Sequence, residues 1–451
     1  MLTWESLAER RMPPWYEDAR LGIMIQWGPY AVADRSPAAA GEPLEVIAGH
    51  WGRRGRYDAF AREFRQGLRE WDPAGILGAV AASGARYLVV SAKHHDGFAL
   101  WPARTKNPRK RGWQVSRDVV GELAGGARAL GLRFGLYYSA GLDWTFGGKP
   151  ASGPAGLAAA IPRTQSYAAY VDAQWRELIS RYSPSILWND VGSPAAEDLL
   201  AFFAHYYEAV PDGVVNDRFG QPETEEPGRD RLGIARALRR LFAPRAPRLP
   251  VRAGATLPVT HADYHTVDSE ASFPDREGPW ECVRGLGSAQ GHSSAESEND
   301  LMPVSAVVRL LCDVTARGGN LLLRVGPNAD GSVGPLLTMR LHGLGDWLKL
   351  NGEAIFGTRP WGEREGVTED GIEVRFTSRG MTTYAILLGT PADRTIVLPS
   401  LRLLPYAGLR VLGSIGYSTW FQEGKDIHIR LTEPLRESPA HVISMTPPPR
   451  P

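Results

Sequence analysis

Short runs of uninterrupted apolar residues alternate with amphipathic stretches along most of the chain, and this alternation constrains the fold more than any other feature. The runs are "LGIMIQWG" (residues 21–28), "RYLVVSAK" (86–93), "LRFGLYYS" (132–139), "SILWND" (185–190), "GVVND" (213–217) and "NLLLRVG" (320–326). None alternates apolar with polar, so each reads as a strand buried on both faces, as in a parallel sheet. Helix-like stretches precede all but the first, among them "PAGILGAVAASG", "SRDVVGELAGGARALG" and "SYAAYVDAQWRELISRYS". Ser116 and Asp118 are candidate caps of the second of these. Strand alternating with helix over some 350 residues predicts a closed barrel rather than an open sheet. No Gly-rich fingerprint follows the first strand, which argues against dinucleotide binding. Beyond residue 355 the pattern changes to short strands at close spacing, such as "IEVRFTSRG", "TTYAILLGT" and "DIHIRLT". The expected fold class is therefore α/β: an irregular (β/α)8-type barrel over residues 1–354, then a C-terminal β-sandwich over 355–451.

In a parallel barrel, reactive groups gather at the carboxyl ends of the strands. Those ends carry Gln26 and Trp27, then Lys93-His94-His95-Asp96, then Tyr137 and Tyr138 with Asp143 and Trp144 beyond. They continue with Trp188-Asn189-Asp190 and Asn216-Asp217-Arg218. "THADYHT", with His261, Asp263 and His265, is a further candidate segment, and Glu281 follows in "PWECVRG". No Ser or Cys stands out as a nucleophile. Carboxylates, aromatics, amides and an arginine suit glycoside cleavage, where one carboxylate attacks and another protonates the leaving oxygen. The 14 Trp and 15 Tyr fit stacking on sugar rings, although a large core also uses them.

"SAKHHDG" invites a metal reading. Adjacent residues of one strand face opposite ways, so His94 and His95 are not expected to share an ion. One is expected to be a satisfied core histidine and the other to meet sugar hydroxyls. The two cysteines, Cys282 and Cys312, form neither a disulfide framework nor a zinc motif. A net charge of +1 gives no reason to expect nucleic acid or an anionic membrane. Residues 228–252 carry eight arginines against one acid, Asp230, and read as a solvated insertion (228–258) or a lid. The N-terminal residues contain no apolar signal core, and no apolar run spans a bilayer, so a cytoplasmic protein is expected.

The blocks "LGIMIQWGPYAV", "YLVVSAKHHDGFALW", "GLRFGLYYSAGLDW", "ILWNDVG", "VVNDRFG" and "GGNLLLRVGPNADG" occur in an order and spacing that resemble the α-L-fucosidases of glycoside hydrolase family twenty-nine. The resemblance runs from about residue 4 to 361. It implies a retaining mechanism without metal or cofactor, acting on a small carbohydrate or glycoconjugate, with an oligomer left open. Carried across by position, it makes Asp190 the nucleophile and places Trp188 and Tyr137 as walls of the sugar site. His94 or His95 would bond hydroxyls, and Arg218 would lie near the catalytic carboxylates. The acid/base falls on Asp263, with Glu281 as second choice. Three positions depart from the family pattern: Gln26 stands for a histidine, His50 (or Gly49) for a glutamate, and Gln290 for an aromatic. Trp27 and Trp51, beside two of these, complete the expected sugar-binding set. The departures motivate a second reading, the same mechanism on another L-sugar such as an α-L-galactoside. A third is a catalytically weak carbohydrate-binding homologue.

Overall fold

The computed structural model describes residues 3–33, 56–147, 160–194, 197–221, 259–268, 278–287, 297–414 and 416–450. Eight strands form one sheet: β1 (Leu21–Ile25), β2 (Tyr87–Lys93), β3 (Arg133–Ser139), β4 (Ile186–Asp190), β5 (Val214–Val215), β6 (His265–Val267), β7 (Trp280–Gly285) and β8 (Asn320–Val325). Their order is β5-β4-β3-β2-β1-β8-β7-β6, and every neighbouring pair is parallel. A parallel bridge between Asn216 and Tyr264 joins the two edges, β5 and β6, and closes the barrel. The expected strands are present. β7, read from sequence only as the setting of Glu281, is an additional strand of the same sheet.

Period-two alternation sorts the side chains. On β8, Leu321, Leu323 and Val325 join the core beneath the helices, whereas Leu322 joins an inner cluster with Met24, Tyr87, Val89, Tyr137, Ile186 and Trp188. A Cβ on Gly22 would meet the Tyr87 ring at 2.2 Å, so glycine on β1 makes room for a large inward side chain on β2. The outer helices begin where short polar side chains can accept their free N–H groups. Asp118, one of the two expected caps, accepts from Gly121 N, while Asp72, Thr164 and Asp198 cap three others.

After Ala354 the chain forms a five-stranded antiparallel sheet and a three-stranded one. The first contains β9 (Arg359–Val367), β10 (Glu373–Arg379), β11 (Thr382–Leu387), β13 (Gly408–Val411) and β16 (His441–Thr446); the second contains β12 (Thr395–Leu398), β14 (Ser418–Glu423) and β15 (Asp426–Leu431). Val374, Phe376 and Leu387 of one sheet share an apolar cluster with Ile396, Ile427 and Ile429 of the other, as in a β-sandwich. Among the described residues, no helix is long and apolar enough to cross a membrane.

Candidate active site

The segment "KHHDG" builds one rim of the barrel mouth. Lys93, the last residue of β2, forms an ion pair with Asp143 at 3.1 Å, with both side chains sealed from solvent. Gly97 has φ +72°, and a Cβ there would strike the Asp143 carboxylate at 2.3 Å. Asp96 accepts from Tyr57 Oη (2.7 Å) and Phe98 N (2.9 Å), and its burial raises its pKa to about 6. These contacts fix the turn that carries the two histidines.

The expected opposition of His94 and His95 needs correcting. β2 ends at Lys93 after a register shift, so strand alternation does not govern the next two residues. Their rings lie 4.2 Å apart, and both reach the mouth. His94 stacks on Tyr137 at 5.4 Å, and Tyr137 stacks on Trp188 at 5.4 Å, forming a continuous aromatic wall. The Gln26 amide nitrogen donates to His94 Nε2 at 3.1 Å. This bond fixes the neutral tautomer of His94 and leaves its Nδ1–H, like Gln26 Oε1, without a hydrogen-bond partner. His95 is the better satisfied of the two. Ser139 Oγ donates to the Leu142 carbonyl (2.9 Å) and accepts from His95 Nδ1 (2.6 Å). Burial lowers the His95 pKa to about 4, against the opposing pull of Asp190. His95 is therefore neutral near pH 7, and its Nε2 presents a lone pair 3.8 Å from Asp190 Oδ2. A sugar hydroxyl entering there can donate to Nε2.

Asp190 ends β4. It accepts from Tyr137 Oη (2.7 Å), Arg218 Nη1 (3.0 Å) and its neighbour Val191 N (3.0 Å). Burial alone would raise its pKa, but Arg218, His95 and Tyr137 hold it below the usual carboxylate range. Arg218 lies over the Trp188 ring at 4.6 Å and donates Nε to Thr266 Oγ1 (2.9 Å). Its remaining terminal nitrogen pairs with Asp268, the residue just beyond β6. One guanidinium thus bridges two carboxylates from opposite sides of the barrel closure.

The placement expected for Asp263 also needs correcting. β6 begins at His265, so Asp263 precedes the strand and lies at its amino end. There it pairs with Arg10 at 2.5 Å and accepts from Tyr207 Oη (2.8 Å) and Val215 N (2.7 Å). Its side chain is 2% exposed, against 16% for Asp190 and 25% for Asp268. Asp268, which the structure brings to the mouth, was not among the sequence candidates because "THADYHTVD" offers two aspartates and no clear strand start. The usable signal was that only the second follows the apolar-compatible "HTV". Trp27 bonds the Asn328 carbonyl through Nε1 (2.8 Å) and packs on Phe64 and Trp71, outside the aromatic wall. His50, Trp51, Gln290 and the Arg-rich insertion lie outside the described residues.

Glu281, the second choice for the acid, points into the barrel beneath Trp188. It accepts from Trp188 Nε1 (3.0 Å), Tyr87 Oη (2.7 Å) and Tyr16 Oη (3.2 Å) and is sealed from solvent. Burial outweighs these three donors and raises its pKa to about 7. The folded protein therefore binds this proton more tightly than the unfolded chain does. Stability from this group is full below the ordinary carboxylate range and declines as pH rises toward 7. Glu281→Gln is expected to flatten that decline, read as urea midpoints at about pH 5 and about pH 8. An unchanged slope in the variant would assign the decline to another group.

Among the described residues, no group of three or more His, Cys, Asp or Glu side chains is arranged to hold a metal ion. Two carboxylates bridged by arginine, beside flat aromatic walls at the carboxyl end of a parallel barrel, define a glycosidase-type site. Comparison with known proteins makes the class particular. The alpha-L-fucosidase family model matches residues 1–237 and 250–353, and the chain belongs to that family. It is 27% identical to the tissue alpha-L-fucosidase of Rattus norvegicus over 449 residues, covering 93% of this chain and 86% of that one. It is 29% identical to an alpha-L-fucosidase of Branchiostoma floridae, covering 93% and 88%. The alpha-fucosidase of Thermotoga maritima, solved in complex with fucose, superposes with a TM-score of 0.78 at 33% identity, covering 98% and 99% of the two chains.

Proposed function

We propose that this protein is a retaining exo-glycosidase acting on α-L-fucosides or close relatives, with Asp190 as nucleophile and Asp268 as acid/base. The observation that carries the reading is the single guanidinium of Arg218 bonded to both carboxylates. Groups held within the span of one guanidinium suit the ~5–5.5 Å separation of retaining enzymes better than the wider inverting gap. In the first step an Asp190 oxygen bonds the anomeric carbon as the glycosidic C–O bond breaks. The bonding pair leaves on the glycosidic oxygen, which takes the proton of Asp268. In the second step Asp268 takes a proton from water, the water oxygen bonds the anomeric carbon, and Asp190 leaves as carboxylate.

Solvent access supports the assignment of the acid. A group that exchanges a proton with water in every cycle must reach it, and at 25% exposure Asp268 does so better than Asp263 or Glu281. Neutral His95, Tyr137 and Trp188 would hold the sugar against Asp190. The relatives named fucosidases favour an L-fucoside over the other L-sugars that the changed pocket first suggested. The test is hydrolysis of 4-nitrophenyl α-L-fucoside followed by proton NMR. The first free sugar to appear is expected to be the α-anomer, and β-anomer appearing first would exclude the double displacement.

A further inference from the structure

Resting on that reading of the site, we propose that Arg324 forms an anion subsite, so that the preferred glycone carries a carboxylate or sulfate ester beside the neutral hydroxyls. Arg324 occupies the next-to-last position of β8. Alternation from Leu322, which packs in the inner cluster, turns Arg324 toward the barrel interior one layer higher, at the mouth. Gln26 is its neighbour on β1: Met24 is in register with Arg324, and Gln26 N donates to the Val325 carbonyl.

Among the described residues, Arg324 has no hydrogen-bond or ion-pair partner, and its Nε is shut away from solvent. The residue as a whole is half-buried, so its terminal nitrogens stay open at the mouth, and a guanidinium with one nitrogen shut away unpaired is a candidate ligand group. Among the described residues, the carboxylates of the mouth are engaged. Asp190 and Asp268 both bond Arg218, and Asp217 bonds Thr266 and His265. Burial lowers the Arg324 pKa; Asp268 and Asp190 pull it up, and Arg218 pushes it down. When Asp268 carries the proton that the first step requires, Arg324 loses the larger of the two carboxylate charges that pull on it. An oxyanion on the sugar supplies the missing charge and can accept two parallel N–H bonds from the guanidinium. Two more unpartnered polar atoms, Gln26 Oε1 and His94 Nδ1, lie along the same rim and suit the neutral hydroxyls of that ring.

The experiment compares kcat/KM for 4-nitrophenyl α-L-fucoside with its mono-O-sulfated derivatives at O2, O3 and O4, and with the α-L-galacturonide. The sulfates and the galacturonide separate the two sources of the anion. In the wild type, one anionic substrate is expected to exceed the fucoside by about tenfold or more. Arg324→Gln and Arg324→Met are expected to abolish that ratio, and Arg324→Lys to restore part of it. Inorganic sulfate is expected to inhibit fucoside hydrolysis competitively in the wild type and less in the glutamine variant. Fucoside turnover with every anionic analogue slower would overturn the subsite alone, as would a ratio unmoved by Arg324→Gln. Failure to hydrolyse any of these glycosides would instead sink the glycosidase reading beneath it. Should the neutral variants not fold, the wild-type ratio and the sulfate inhibition decide the matter.

Discussion

Replacing Asp190 with alanine is expected to lower kcat on 4-nitrophenyl α-L-fucoside by on the order of 10⁴-fold or more, since the first bond to the sugar is lost. Binding should suffer less, because the aromatic wall of His94, Tyr137 and Trp188 and the neutral acceptor on His95 remain. The vacated space next to Arg218 can admit azide, which would attack from the face Asp190 used. Azide should therefore restore part of the rate and yield the β-L-glycosyl azide, with configuration inverted. Turnover within tenfold of the wild type would remove Asp190 from the reaction.

The second large effect separates the two aspartates of "THADYHTVD". Asp268→Ala is expected to lose about 10²–10⁴ in kcat on substrates with poor leaving groups, whose departure needs a proton. The loss should shrink for dinitrophenyl glycosides, and azide should then give the α-azide with configuration retained, because it attacks the covalent intermediate. Asp263→Asn should behave differently. It disrupts the ion pair with Arg10, a change worth roughly 3 kcal/mol at the low end for a buried pair, and the loss should show in the urea midpoint rather than in leaving-group dependence. If Asp263→Asn showed the leaving-group signature and Asp268→Ala did not, the roles argued above would be reversed.

The barrel was legible because parallel strands buried on both faces leave uninterrupted apolar runs, and five of the eight strands announced themselves in this way. The two-residue β5 announced itself through its flanks, in "GVVND". β7 was hidden because Glu281 and Arg284 interrupt its apolar residues. An inward carboxylate held by three donors inside a barrel looks like a loop residue to any hydrophobicity pattern. At the site, Asp190 and Arg218 were visible as strand ends. The distinction between Asp263 and Asp268 was nearly hidden, because it depends on where a three-residue strand begins, and so short a strand has no periodicity to measure and only "HTV" to mark it. The directions of His94 and His95 were misread for a related reason: strand geometry was extended two residues past the strand.

The closure of the barrel has a consequence for how damage spreads through this protein. Between β5 and β6 the ladder is short, and the Asp263 carboxylate supplements it by accepting from Val215 N while Asp263 N donates to the Val215 carbonyl. At the other end of the same seam, Arg218 is fastened to Thr266 and Asp268. Asp190 and Arg218 belong to one lip of the seam and Asp268 to the other. Loosening the rivet at Asp263 would let the lips part in a fraction of the molecules, so that fewer hold Asp190 and Asp268 together and the rate falls alike for good and poor leaving groups. A screen for activity alone would score such a variant as catalytically dead, when its fault is a zip undone from the far end.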